Sequence, residues 1–108
     1  MNLQTESRGD WTILRIGGEI DLFTAPKLKE QIVDLVNDGN LRIVADLERV
    51  EFMDSTGLGV LVGALRRLKE RDGTLALACP QGPVLRVLDV TGLSKVFPVH
   101  ETVDEATA

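Results

Sequence analysis

A near-continuous apolar run at residues 41–47 and a second at residues 74–79 bracket a stretch of helical periodicity. This strand–helix–strand order constrains the fold more than any other feature of the chain. Leu58, Leu61, Val62, Leu65 and Leu68 recur at helical spacing and mark the buried face of the helix between the two runs. That helix stops near Arg71, at Asp72-Gly73. The first run is broken only by Arg42 and Asp46, as expected of a central strand covered on both faces, and Pro80 closes the second. Strands joined through a helix run parallel and are linked by a right-handed crossover.

The flanking sequence extends the pattern. Residues 3–7 alternate weakly and residues 11–16 strongly around Gly9-Asp10, which predicts an initial hairpin. Gly17-Gly18 is read as the end of the second strand, and residues 19–23 as a loop with an apolar tip. Thr24 is the expected cap of a helix that carries Pro26 in its first turn, buries Leu28, Ile32, Leu35 and Val36, and stops at Gly39. Pro83 opens a third helix with Val84, Leu85 and Leu88 inside, ended by Thr91-Gly92. A short strand at 96–99 and a helical turn at 101–106 complete the chain. The predicted class is α/β: a mixed, mostly parallel sheet with an N-terminal hairpin and flanking helices. At 108 residues the chain is expected to form one domain, 1–108.

The most informative segment is Phe52-Met53-Asp54-Ser55-Thr56-Gly57-Leu58-Gly59, where the central strand meets its helix. Ser55 sits where an N-cap belongs, its oxygen able to accept a first-turn N–H. Gly57, Gly59 and Gly63 all fall inside the helix, where each glycine costs up to about 1 kcal/mol relative to Ala. Gly59 and Gly63 lie off the core-facing row and form a stripe over which another backbone can pass closely. Val60 also points away from the core, beside the hydroxyl pair. Functional loops of such sheets lie beyond the C-terminal strand ends, so Asp21-Leu22-Phe23 and Asp54-Ser55-Thr56 are expected at the same end.

Composition narrows the function. Twelve basic and 17 acidic residues give a net charge of −5, which argues against nucleic-acid backbone as a direct partner. Lys27 and Lys29 on one helix, and Arg66, Arg67, Lys69 and Arg71 on another, read as solvated faces. Cys79 is the only cysteine, so a reducing compartment is the default. No secretory signal is visible, and no run approaches the roughly 18 apolar residues of a membrane span, so a cytoplasmic location is expected. His100, the one histidine, has no second metal-binding or catalytic partner close in sequence. Gly57-x-Gly59 does not make a phosphate loop, and Asp54 with Glu19 or Asp21 is a carboxylate pair lacking a third ligand. No enzyme is expected.

Met53-Asp54-Ser55-Thr56-Gly57-Leu58-Gly59-Val60 closely resembles the signature of bacterial anti-sigma factor antagonists of the STAS domain family. Gly18-Glu19-Ile20-Asp21 with Thr24-Ala25-Pro26, and Thr91-Gly92-Leu93, match in the same order, so the resemblance spans essentially the whole chain. The resemblance implies the STAS fold and a partner-switching role: binding an anti-sigma factor that is also a serine kinase, thereby releasing a sigma factor. It implies phosphorylation at Ser55 as the off-switch and a metal-dependent serine phosphatase as the restoring partner. ATP and Mg²⁺ then belong to the kinase, and this chain needs no cofactor. The partner-binding surface is expected to comprise Asp21, Leu22, Phe23 and Thr24 together with Asp54, Ser55, Thr56, Gly57, Leu58, Gly59 and Val60. Two other roles open to such a domain are a regulatory pocket for a nucleotide or small molecule, and a soluble accessory subunit of a membrane complex.

Overall fold

A computed structural model describes the whole chain, Met1–Ala108. The elements are β1 (Asn2–Arg8), β2 (Trp11–Ile20), α1 (Ala25–Asn37), β3 (Arg42–Met53), α2 (Ser55–Lys69), β4 (Thr74–Ala78), α3 (Gly82–Val90), a 3-10 turn (Leu93–Lys95), β5 (Val99–His100) and α4 (Val103–Ala106). The five strands lie in the order β1-β2-β3-β4-β5; β1 is antiparallel to β2 and the remaining pairs are parallel. The α/β class and the mixed sheet with its N-terminal hairpin are as the sequence predicts.

Sequential strand order has a structural consequence. Right-handed crossovers that all step in one direction place their helices on one face of the sheet. The main core accordingly joins Leu28, Ile32 and Val36 of α1, Leu58, Leu61, Leu65 and Leu68 of α2, and Val84 and Leu88 of α3 to alternate residues of β2, β3 and β4. The opposite face carries only a small cluster of Val44, Ala76, Ala78 and Ala106, with Trp11, Cys79 and Val103 against it. There the short α4 is tied to the hairpin by an Arg8–Asp104 ion pair of 2.7 Å.

Several expectations are corrected. β2 does not end at Gly17-Gly18 but runs on to a fully buried Ile20. Register shifts around these glycines, with Gly18 at φ +92°, act as bulges that re-aim the strand without ending it. β3 likewise continues to Met53, so Ile20 and Met53 pair at the sheet end. In α3 the buried row is Val84 and Leu88; Leu85, one residue around the helix, is 38% exposed. Leu35 and Val62 are only partly buried, at the margin of their helices' core faces. The last strand is Val99–His100, because Val96 closes a 3-10 turn that drives Phe97 into the core.

The glycines of α2 divide into two kinds. A Cβ on buried Gly57 would stand 2.6 Å from Ile20 Cγ2, and 3.0 Å from both the Ile20 carbonyl oxygen and Met53 Cγ. At Gly59 and Gly63 a Cβ meets nothing within 4 Å. We therefore expect Gly57→Ala to destabilise the fold by about 1–3 kcal/mol through overpacking. Gly59→Ala should stabilise it by up to about 1 kcal/mol through helix propensity. Urea unfolding of both variants checks the pair, which should move in opposite directions.

Candidate functional site

The site is built where β2 and β3 end together. The Ile20 carbonyl accepts the Asp54 N–H at 3.1 Å, so Asp54 is the last extended residue of the sheet, at φ −98° and ψ −175°. Its carboxylate then accepts the Gly57 N–H at 3.0 Å, and its carbonyl the Leu58 N–H at 3.0 Å. Asp54 is therefore the N-cap of α2, and Ser55 is the first helical residue, correcting the expectation that Ser55 caps. Asp, Ser and Thr stand consecutively here and all can cap. The strand-like tie to Ile20 decides among them, by extending the sheet one residue past Met53.

Freed from capping, Ser55 and Thr56 are both exposed, and neither hydroxyl makes a hydrogen bond within the chain. Exposure does not separate the two. Gly57 and Leu58 are buried and offer no surface to a partner, which corrects their inclusion in the expected binding surface; they anchor the helix start instead. Gly59 is exposed, whereas Val60, expected to point away from the core, is half-buried and packs against it.

The second half of the site is the turn from β2 into α1. The Asp21 carboxylate accepts the backbone N–H groups of Phe23 at 2.9 Å and Thr24 at 3.0 Å, while the Asp21 carbonyl accepts the Ala25 N–H at 2.8 Å. Thr24 is not the side-chain cap the sequence suggests: its hydroxyl donates to the Glu19 carbonyl and accepts the Asp21 N–H, both at 2.9 Å. These bonds turn the chain sharply and throw Leu22 and Phe23 outward, 64% and 88% exposed. A ring that exposed cannot staple the following helix, so packing does not account for it. Phe52, 46% exposed and paired with Glu19 across the strands, adds a third apolar side chain at this sheet end. The expected binding surface did not include it; the signal was an aromatic at an outward-facing position just before the helix.

Electrostatics favour an ionised Asp21. The Thr24 N–H is the largest influence and, joined by the Phe23 N–H and the Thr24 hydroxyl, it outweighs the opposing effect of desolvation and holds the carboxyl below the usual carboxylate range. No third metal-ligating side chain joins Asp54 with Glu19 or Asp21. The chain's one grouping of that kind is Asp46, Glu48 and Cys79, on the opposite sheet face. There Asp46 accepts the Glu48 N–H at 3.1 Å and lies 3.5 Å from Arg15, and burial followed by the two carboxylates raises the Cys79 thiol's pKa. His100 is half-buried in β5, its carbonyl accepting the Cys79 N–H at 3.0 Å.

Fold and site define a class: an α/β domain whose distinguishing surface is an unengaged hydroxyl pair at a helix start, at the same sheet end as three exposed apolar side chains. The chain belongs to the STAS domain family, whose family model matches residues 2–106. It is 35% identical over 101 residues to the anti-sigma-B factor antagonist of Staphylococcus aureus, covering 94% of each chain. A solved anti-sigma factor antagonist from Mycobacterium paratuberculosis superposes with a TM-score of 0.91 at 31% identity, over 98% of this chain and 90% of that one. The antagonist SpoIIAA in its unphosphorylated form gives 0.85 at 28% identity, over 98% and 93% of the two chains. The phosphorylated Bacillus SpoIIAA gives 0.77 at 27%, over 98% and 96%. These relatives are named as regulators, and no helix of this chain is long and apolar enough to cross a membrane.

Two predictions follow from the capping geometry. Asp54→Ala should lower stability by about 0.5–2 kcal/mol, while Ser55→Ala should stay within about 0.5 kcal/mol of wild type. Chemical denaturation of both compares them directly. Asp21 is harder to protonate folded than unfolded, so its stabilisation is complete above the unfolded carboxylate's pKa and fades as pH falls through the lower folded value. Asp21→Asn should therefore lower the melting temperature at neutral pH and show a shallower loss below about pH 4 than wild type.

Proposed function

We propose that this chain is an anti-sigma factor antagonist that binds an anti-sigma factor with serine kinase activity and is switched off by phosphorylation at Ser55. The observation that carries the reading is the free Ser55 hydroxyl: Asp54 does the capping, so the hydroxyl is exposed at the first turn of α2 with no internal role. Its neighbours supply a docking surface. Leu22, Phe23 and Phe52 offer apolar anchors, and Asp21, Thr24, Asp54, Thr56, Gly59 and Val60 surround them. The relatives named anti-sigma factor antagonists, one of them solved with and without phosphate, support the same reading.

The switch is local. Phosphorylation adds roughly −1.5 to −2 charges and three acceptor oxygens at the rim of an apolar contact surface. At a protein interface such a charge must be desolvated or matched, and unmatched buried charge is costly. The partner lets go while the antagonist's fold persists, and a metal-dependent serine phosphatase resets it. ATP and Mg²⁺ enter with the kinase.

The test begins with the kinase recovered by pull-down from the native host and identified by mass spectrometry. Incubation with it and ATP, followed by phosphopeptide mapping, should place phosphate on Ser55; modification of Thr56 with Ser55 untouched overturns the assignment. Ser55→Ala should hold the kinase in the presence of ATP, at near wild-type stability. Ser55→Asp should fold like wild type but bind at least about tenfold more weakly, near 1.4 kcal/mol. Phe23→Ala should weaken binding while leaving stability within about 0.5 kcal/mol of wild type, because the ring touches little of its own fold.

A further inference from the structure

We propose that Ile20, buried beyond any partner's reach, is a positioning residue for the phosphoacceptor: through its contact with Gly57 it sets where Ser55 stands relative to the turn that carries Leu22 and Phe23. The inference rests on the reading of Ser55 as the residue that a kinase modifies.

Three ties meet at Ile20. Its carbonyl accepts the Asp54 N–H at 3.1 Å and so holds the residue just before Ser55. Its side chain closes on the first turn of α2, where a Cβ on Gly57 would stand 2.6 Å from Ile20 Cγ2. Its own peptide leads directly into Asp21, whose carboxylate accepts the Phe23 N–H at 2.9 Å and the Thr24 N–H at 3.0 Å. The other tie of the helix start, from the Gly57 N–H to the Asp54 carboxylate, joins α2 to its own cap and does not register it against β2. Ile20 is 0% exposed, so it acts on a partner only through the residues it seats.

The chemistry is sensitive to that seat. The Ser55 Oγ attacks the γ-phosphorus of ATP, the new O–P bond forms as the bond to the bridging oxygen breaks, ADP leaves, and the hydroxyl proton passes to a base of the kinase. Transfer needs the attacking oxygen in line, and a misplacement of about 1 Å can cost about a hundredfold in rate. Ordinary van der Waals contact begins at 3.4 Å, so an alanine methyl at position 57 forces the first turn of α2 and the strand apart by most of an ångström. The anchors Leu22 and Phe23 follow Ile20 on the strand side of the contact. Disturbing the contact therefore moves the hydroxyl relative to the anchors, and impairs transfer more than capture.

The test uses the full chain, ATP and the kinase recovered above, in single turnovers with kinase in excess. Gly57→Ala should be phosphorylated at least about tenfold more slowly at saturating kinase, with a half-saturating concentration within about threefold of wild type. Ile20→Leu conserves volume but removes the branch at Cβ, and should slow transfer at least about threefold by unseating the turn. In Ile20→Leu/Gly57→Ala the leucine vacates the space that the methyl needs, and the maximal rate should return to within about threefold of wild type. Val36→Ala, in the buried last turn of α1, is the control for lost stability and should be phosphorylated like wild type. Circular dichroism establishes that each variant is folded at the assay temperature. A wild-type maximal rate for Gly57→Ala overturns the proposal, as does an equal slowing by Val36→Ala, a proportionate rise in half-saturation, or a folded double variant without recovery. Should Gly57→Ala not fold, Ile20→Leu decides, and a wild-type rate there overturns the proposal. In each of these outcomes wild-type phosphorylation of Ser55 persists and the switch stands; a wild-type chain left unmodified at Ser55 overturns both.

Discussion

Everything at the functional end of this molecule depends on one contact, the approach of Gly57 to Ile20. A Cβ on Gly57 would overlap the Ile20 side chain and crowd its carbonyl, and that same carbonyl binds the Asp54 N–H. The sheet's last residue and the helix's first turn are thereby fixed to a single point of β2. One residue beyond that point the chain enters the Asp21 turn, whose carboxylate gathers the Phe23 and Thr24 N–H groups. Two loops distant in sequence are thus anchored at adjacent points of one sheet end. Only glycine permits this, because any side chain would push α2 away from the strand.

The strand order distributes the remaining burden. Because β2 to β5 are laid down in sequence, α1, α2 and α3 cover one sheet face and share the main core. The other face receives only α4 and a layer of polar side chains. Asp46 is buried there and satisfied by the Glu48 N–H and the nearby Arg15, which itself pairs with Glu6 at 2.6 Å. That network accounts for the buried Asp46 on this face. Asp46 there serves structure, as Asp21 and Asp54 do at the strand ends, whereas the Ser55 and Thr56 hydroxyls make no hydrogen bond within the chain.

Much of this architecture was legible in the chain. The helical spacing of Leu58, Leu61, Leu65 and Leu68 located α2, and the alternation of strands and helices gave the parallel sheet. The glycine stripe at Gly59 and Gly63 was placed off the core correctly, since helical geometry alone fixes it. What was misjudged lies at element ends. Asp54, Ser55 and Thr56 are interchangeable as caps by propensity, and only the tertiary bond from Asp54 to Ile20 selects the first. Gly17-Gly18 carries the same local signal whether a strand stops or merely bulges; pairing with β3 settles it. Gly57 looked like one of three permissive helical glycines, and its role becomes visible only against Ile20. Phe52 was left out of the expected binding surface because its exposure depends on where β3 ends.

If Ser55 is the phosphoacceptor, as proposed, its position also determines which molecule registers the phosphate. Of the first-turn N–H groups of α2, Gly57 already serves Asp54, and the Asp54 N–H serves Ile20. Ser55 and Thr56 are left with N–H groups that have no intrahelical acceptor. An anion on Ser55 meets these donors and the positive end of the helix dipole, a gain of roughly 0.3–1 kcal/mol at an exposed site. It also meets the Asp54 carboxylate next to it in sequence, and an Asp21 whose own bonds keep it ionised at the same sheet end. The attractions and repulsions are of similar size and both are screened by water, so the antagonist's own stability changes little. At a docked interface the water is gone and the repulsions are not screened. On the proposed reading the discriminating energy would therefore arise only in the complex, and the partner would be the element that responds to the switch.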